Sequence, residues 1–154
     1  MIEIIPATTP SHIQAIRDLF REYEQALQVD LCFQGFEEEL AGLPGKYDPP
    51  QGCLLLASAD GQPAGCVAMR PLVEDICEMK RLYVRPAHTG QGLGKQLALK
   101  VIERAGAVGY ARMRLDTLDK LRPALGLYAD LGFRKCPAYY DNPLPGVVYL
   151  ERDL

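Results

Sequence analysis

The stretch "VRPAHTGQGLGKQLAL", Val84 to Leu99, sets glycine at alternate positions 90, 92 and 94 between a proline-containing turn and an apolar-periodic run. Glycine is costly at a helix start unless the backbone there does something that side chains would obstruct. A loop that leaves a strand and opens a helix points several unbonded N–H groups the same way, and the helix dipole adds about half a positive charge. Three glycines in five positions, beside Arg85 and Lys95, therefore suit a phosphate or pyrophosphate cradled by amides. Two familiar phosphate loops do not fit. A P-loop ending in Gly94-Lys95 needs glycine and then Ser or Thr where this chain has Thr89 and Gln96. The dinucleotide pattern G-x-G-x-x-G fails at Lys95.

The surrounding charge agrees with an anionic ligand. Residues 80–104 hold six basic side chains (Lys80, Arg81, Arg85, Lys95, Lys100, Arg104) and one acid, Glu103. Residues 1–50 hold nine acids against three basic residues, and the whole chain carries a net charge of −3. An acidic chain without a basic tail or extended basic face is not expected to bind nucleic acid. The longest apolar run, "CLLLA" (Cys53–Ala57), falls far short of the ~20 residues of a membrane span. The N-terminus has no basic-then-apolar leader, so a cytoplasmic location is expected. At 154 residues and 48% hydrophobic composition, one globular domain covering 1–154 is expected. The cysteines 32, 53, 66, 77 and 136 are scattered without the close pairs of a zinc site, so no metal is expected.

Working outward, Ile2–Ala7 reads as a strand. Thr9 and Pro10 then cap an amphipathic helix through Leu27, and a short helix follows at Gly35–Leu43. Strands are expected at Cys53–Ser58, Ala64–Leu72 and Asp75–Val84, the first two joined by an Asp60-Gly61 hairpin. The glycine loop opens a helix ending near Gly106–Gly109, followed by a strand at Arg112–Leu118 and a helix at Arg122–Gly132. Final strands are expected at Phe133–Tyr140 and Gly146–Leu154. The order βααβββαβαββ makes an α+β protein with a mixed, mostly antiparallel sheet and a βαβ unit at its centre.

The segment Val84-Arg85-Pro86-Ala87-His88-Thr89-Gly90-Gln91-Gly92-Leu93-Gly94 resembles the acetyl-CoA loop, V-x-P-x-x-[RQ]-G-x-G-[ILV]-[GA], of the GCN5-related N-acetyltransferase (GNAT) superfamily. Downstream, "LGLYADLGFRK" (Leu125–Lys135) is similar to the family's L-Y-x-x-x-G-F segment, with Tyr128, Gly132 and Phe133 in register. The element order fits the GNAT fold along nearly the whole chain. Two positions depart from the pattern. Thr89 stands where Arg or Gln usually opens the loop, and Leu121 where many members carry a cofactor-holding Asn.

The resemblance implies transfer of an acetyl group from acetyl-CoA to a primary amine by direct attack in a ternary complex. It implies cofactor contacts from Thr89, Gly90, Gln91, Gly92, Leu93, Gly94 and Lys95, and from the backbone of Leu82, Tyr83 and Val84 where a strand splays from its neighbour. It implies Tyr128 as general acid, since a phenol of pKa ~10 can protonate a thiolate of pKa near ~8.5. It implies Glu78 as general base, direct or through water, for an amine of pKa ~10.4 that is about one part in a thousand neutral at pH 7. Ion pairing of Glu78 beside Lys80 and Arg81 is the plainer alternative. The acceptor side is expected between the acidic "EEEL" (Glu37–Leu40) and the aromatic "YYDNPLPGVVY" (Tyr139–Tyr149), a setting suited to a small-molecule or peptide amine. A strand edge near the C-terminus leaves a homodimer open. The alternative function is a non-catalytic acyl-CoA-binding regulatory or sensing module of the same fold.

Overall fold

The run "CLLLASA" folds as a strand whose odd and even residues feed two different cores. The computed structural model describes the backbone of residues 1–154 and every side chain except that of Phe33. In chain order the elements are β1 (Ile2–Pro6), α1 (Pro10–Leu27), α2 (Phe36–Ala41), β2 (Cys53–Ala59), β3 (Gln62–Val73), β4 (Ile76–Val84), α3 (Leu93–Val108), β5 (Arg112–Leu118), α4 (Arg122–Asp130), β6 (Arg134–Lys135) and β7 (Val147–Asp153). Cys53, Leu55 and Ala57 of β2 join the core under α3, while Leu54 and Leu56 join the core under α1. A strand buried on both faces reads as a continuous apolar run, which is the pattern of this one. Among the described residues no helix is long and apolar enough to cross a membrane.

Local chemistry sets the helix ends. The Thr9 hydroxyl accepts the His12 amide at 3.1 Å, and Pro10 occupies the first turn of α1, as the sequence predicts. The α1 stripe of Ile16, Leu19 and Phe20 is wholly buried. On the other face, Leu93, Leu97, Ala98, Val101 and Ala105 of α3 do the same. The short helix α2 is trimmed to six residues by Gly35, at φ 69°, and by Gly42.

The sheet runs β1-β2-β3-β4-β5-β7-β6, antiparallel except where β4 pairs parallel with β5 across α3. That parallel pairing covers only Ile76–Glu78 against Arg112–Arg114 and then stops. On its other side β4 is irregular. Tyr83 lies opposite Cys66 and Lys80 opposite Ala68, so Arg81 and Leu82 share Val67 as their counterpart. This is a β-bulge, with Arg81 in the left-handed region at φ 60°. Its consequence is a change of parity. Before the bulge Cys77 and Met79 face the α3 core, whereas after it Leu82 and Val84 do. Arg81 is the inserted residue, and it turns to the α1 side to meet Glu39.

The expected strand Phe133–Tyr140 is largely absent; only Arg134–Lys135 pair with β7, followed by one bond from the Cys136 amide to the Tyr149 carbonyl at 3.0 Å. Pro137 has no N–H to extend the ladder. Tyr139 and Tyr140 are instead drawn inward by hydrogen bonds to the centre of the sheet.

Candidate active site

Where β4 and β5 part, a cleft opens through the sheet. Its walls come from both faces: Leu82, Leu115 and Tyr128 belong to the α3 side, Gln34, Lys80 and Asp116 to the α1 side. The half of β4 beyond Glu78, including Leu82, Tyr83 and Val84, has no partner strand on this side. Its outward-facing backbone groups are therefore available to an extended ligand.

The glycine loop follows the C-terminal end of β4 and opens α3, where a Cβ at Gly94 would lie 3.8 Å from Val84 and from Leu127. Gly90 and Gly92 have φ of 79° and 78°, and a Cβ at either would meet nothing within 4 Å. Conformation rather than crowding thus demands glycine there. Gly92 caps α3, and its carbonyl accepts the first helical bond from the Gln96 amide at 3.1 Å. The amides of Gly92, Leu93, Gly94 and Lys95 are left without partners in the helix. Gln91 and Lys95 are exposed beside them, and Leu93 is buried as the anchor of the helix. This arrangement fits a pyrophosphate group.

Two side chains beside the loop are engaged within the protein. The Thr89 hydroxyl donates to the Pro86 carbonyl at 3.0 Å, so it braces the preceding turn and its proton is not offered to a phosphate. Arg85 is held by Glu22 at 2.7 Å and by the Pro63 carbonyl at 2.9 Å. The basic island is thereby partly consumed internally: Arg81 pairs with Glu39, and Lys80 is buried on the opposite face.

Tyr128 of α4 lines the cleft and packs edge-on against Phe133, with ring centroids 5.7 Å apart. Burial pushes its phenol well above the ordinary value, so it stays protonated throughout the working pH range. Leu121, at the N-cap of α4, also lines the cleft and forms no side-chain cap.

Glu78 is 0% exposed. One carboxylate oxygen accepts Arg70 Nε at 2.9 Å and the other accepts the Tyr139 hydroxyl at 2.6 Å. Glu78, expected as a general base acting directly or through water, has both carboxylate oxygens engaged within the protein and is not among the residues that line the cleft. The carboxylate that does line it is Asp116 of β5, which accepts the Tyr140 hydroxyl and Asn142 Nδ2, the latter at 2.8 Å. Lys80 is 6% exposed, and its Nζ donates to Gln34 Oε1 at 3.2 Å. Burial pulls its ammonium down to about 8, against an upward pull from Glu78. Arg81 forms a two-pronged pair with Glu39, at 2.9 and 3.1 Å, and lies over the rings of Phe36 and Tyr23. Tyr139, Tyr140 and Tyr149 stack with centroids 5.4–5.9 Å apart and close this side.

Sequence reasoning missed Asp116, Lys80, Gln34 and Asn142. Asp116 had a signal, as a carboxylate following the buried alternation of Met113 and Leu115 in a central strand. Lys80 had one as well, because a lysine in the middle of a strand buried on both faces needs a reason to be there.

A sheet opened at its parallel pair, with a glycine-capped helix after the same strand, is the arrangement that the resemblance to the GNAT acyltransferases implies. The chain belongs to the GNAT acetyltransferase family, whose model matches residues 13–133. It is 42% identical to an uncharacterized N-acetyltransferase of Schizosaccharomyces pombe, over 99% of this chain and 95% of that protein. A GNAT-family acetyltransferase of Staphylococcus aureus shares the fold with a TM-score of 0.82 over 99% of both chains, at 20% identity. The PaiA N-acetyltransferase of Thermoplasma acidophilum, solved in complex with coenzyme A, has a TM-score of 0.75 at 18% identity, covering 100% of this chain and 99% of that one.

Proposed function

We propose that the protein transfers an acetyl group from acetyl-CoA to a primary amine of a small molecule or peptide, by direct attack in a ternary complex. The observation that carries this reading is the gap through the sheet. It opens beyond the end of the β4–β5 pairing; the unbonded amides at the start of α3 follow the same end of β4, and the carboxylate of Asp116 lines the α1 side. Two substrates entering from opposite faces meet end to end, which is the geometry direct attack requires.

In this reading the amides of Gly92–Lys95 hold the pyrophosphate, and the unpaired edge of Leu82–Val84 aligns the arm that ends in the thioester. Acetyl-CoA brings an activated carbonyl, so the protein need only orient it, polarise it and manage two protons. Asp116 receives the ammonium of the acceptor and takes its proton, directly or through water, so that the neutral amine attacks, and Glu78 acts behind Tyr139, fixing that ring through its hydroxyl. Tyr128 gives its proton to the departing thiolate. Burial raises the proton affinity of the phenol, and the same dry surroundings raise that of the thiolate, which keeps the transfer matched. Cys66 and Cys77 are buried, with thiols pushed up by burial, which supports direct attack over an acyl-cysteine carrier.

Tyr128→Phe tests the reading. Thiol release should slow by about 10²-fold or more, with acetyl-CoA affinity by calorimetry nearly unchanged. An unchanged turnover number would reduce Tyr128 to a packing residue. Absence of acetyl-CoA binding at millimolar concentration would remove the proposal altogether.

A further inference from the structure

The parallel register of β4 and β5 contains a pairing that the strands never complete. Glu78 lies opposite Arg114, so two residues further on Lys80 is the counterpart of Asp116, on the same face of the sheet. Had the strands stayed together, these two would form a cross-strand ion pair. Instead they diverge, and among the described residues no carboxylate lies within ion-pair distance of Lys80 and no cation within that distance of Asp116.

The other charges nearby are already matched: Arg70 with Glu78, Arg81 with Glu39, Arg114 with Glu151. What spans Lys80 and Asp116 is a neutral bridge. Lys80 Nζ donates to Gln34 Oε1 at 3.2 Å, Gln34 Nε2 donates to the Tyr140 hydroxyl at 3.0 Å, and that hydroxyl donates to Asp116. Three hydrogen bonds in series across one amide bound the separation at roughly 11 Å. A nine-tenths-buried ammonium with only a neutral partner, facing an unmatched carboxylate across a cleft, is an expensive arrangement. It is complementary to a ligand that carries both charges.

We infer that the acceptor is a free α-amino acid, its ammonium received by Asp116 and its carboxylate by Lys80. The two charged groups of such a ligand, joined through one carbon and hydrogen-bonded at both ends, fit within the bound set by the bridge. Leu27, Leu31 and Leu144 line the rest of this side and favour a side chain with apolar surface. A polyamine is disfavoured, because Lys80 repels its second charge. The inference rests on the acetyl-transfer reading but makes separate demands.

The experiment compares thiol release from acetyl-CoA with the standard L-amino acids, their carboxamides and spermidine. In parallel, calorimetry measures the binding of the same acids and carboxamides to CoA-saturated protein. At least one acid should exceed its carboxamide about tenfold or more in kcat/KM and in affinity. Lys80→Met should abolish that preference while keeping acetyl-CoA affinity and a cooperative thermal transition no lower than that of the wild type. Thiol release with carboxamides or spermidine as fast as with any acid overturns the inference and leaves acetyl transfer standing. Loss of acetyl-CoA binding defeats the parent reading instead. No thiol release with any amine, together with no heat from any acid, overturns the inference, as does an acid preference that survives in Lys80→Met.

Discussion

Lys80 carries a cost that a titration can read. Burial dominates its downward shift to about 8; Arg81 on its own strand and Arg70 on β3 push the same way, while Glu78 on β4 and Asp116 on β5 oppose them. A lysine whose folded pKa lies below its ordinary value of 10.5 penalises folding fully below about 8, and the penalty fades as pH rises toward 10.5. Across that window the unfolded chain binds the proton that the folded chain has released. Stability of the wild type should therefore rise relative to Lys80→Met between about pH 7 and about pH 10, by on the order of 2–3 kcal/mol. Denaturant unfolding of both proteins at the two pH values checks this, and the subtraction cancels the buried cysteines and tyrosines that titrate nearby. At this scale the sequence was legible in part. Tyr128 could be singled out from its local motif, a helical tyrosine four residues before a glycine stop, and it lines the cleft. Lys80, Arg81 and Arg85 were counted as one basic island because a linear sequence does not display their partners, Gln34, Glu39 and Glu22.

At the scale of elements, glycine loop and helix were readable because their signals are local. Positive φ at Gly90 and Gly92 and the buried stripe of α3 follow from neighbours in the chain. Gly92→Ala should cost about 1–2 kcal/mol from left-handed strain alone, since nothing crowds the site. It should also weaken acetyl-CoA binding by tilting the first amides of the helix. Chemical denaturation and calorimetry on the one variant separate the two effects. The strand expected at Phe133–Tyr140 was not readable in the same way. Its alternation is adequate, but Pro137 interrupts the ladder, and Tyr139 and Tyr140 find better partners in Glu78 and Asp116, which lie 61 and 24 residues away. Side-chain bonds over such distances leave no periodic trace.

Across the whole molecule, the sheet separates two cores, and the gap is where they communicate. Adding CoA should slow hydrogen exchange within residues 82–84 and 92–95, the segments whose cleft-side strand edge or helix-start amides lack partners in the protein alone, with little change along β1 and β2. Protection spread evenly over the sheet would mean general tightening rather than occupation of the gap. The edges of the sheet are unequal: β6 is two exposed cationic residues, Arg134 and Lys135, which resists pairing with a second sheet.

The bulge at Arg81 has an arithmetic consequence. Because Arg81 and Leu82 share one counterpart, removing Arg81 from the chain restores strict alternation: Lys80 and Tyr83 stay on the α1 side, Leu82 and Val84 on the α3 side. In most strands a one-residue deletion turns every later side chain to the wrong face; here the ladder absorbs it. The shortened protein should still fold, with circular dichroism close to that of the parent, yet release no thiol, because a straightened β4 can zip onward along β5. Arg81 is the residue the sheet can spare and the opening cannot.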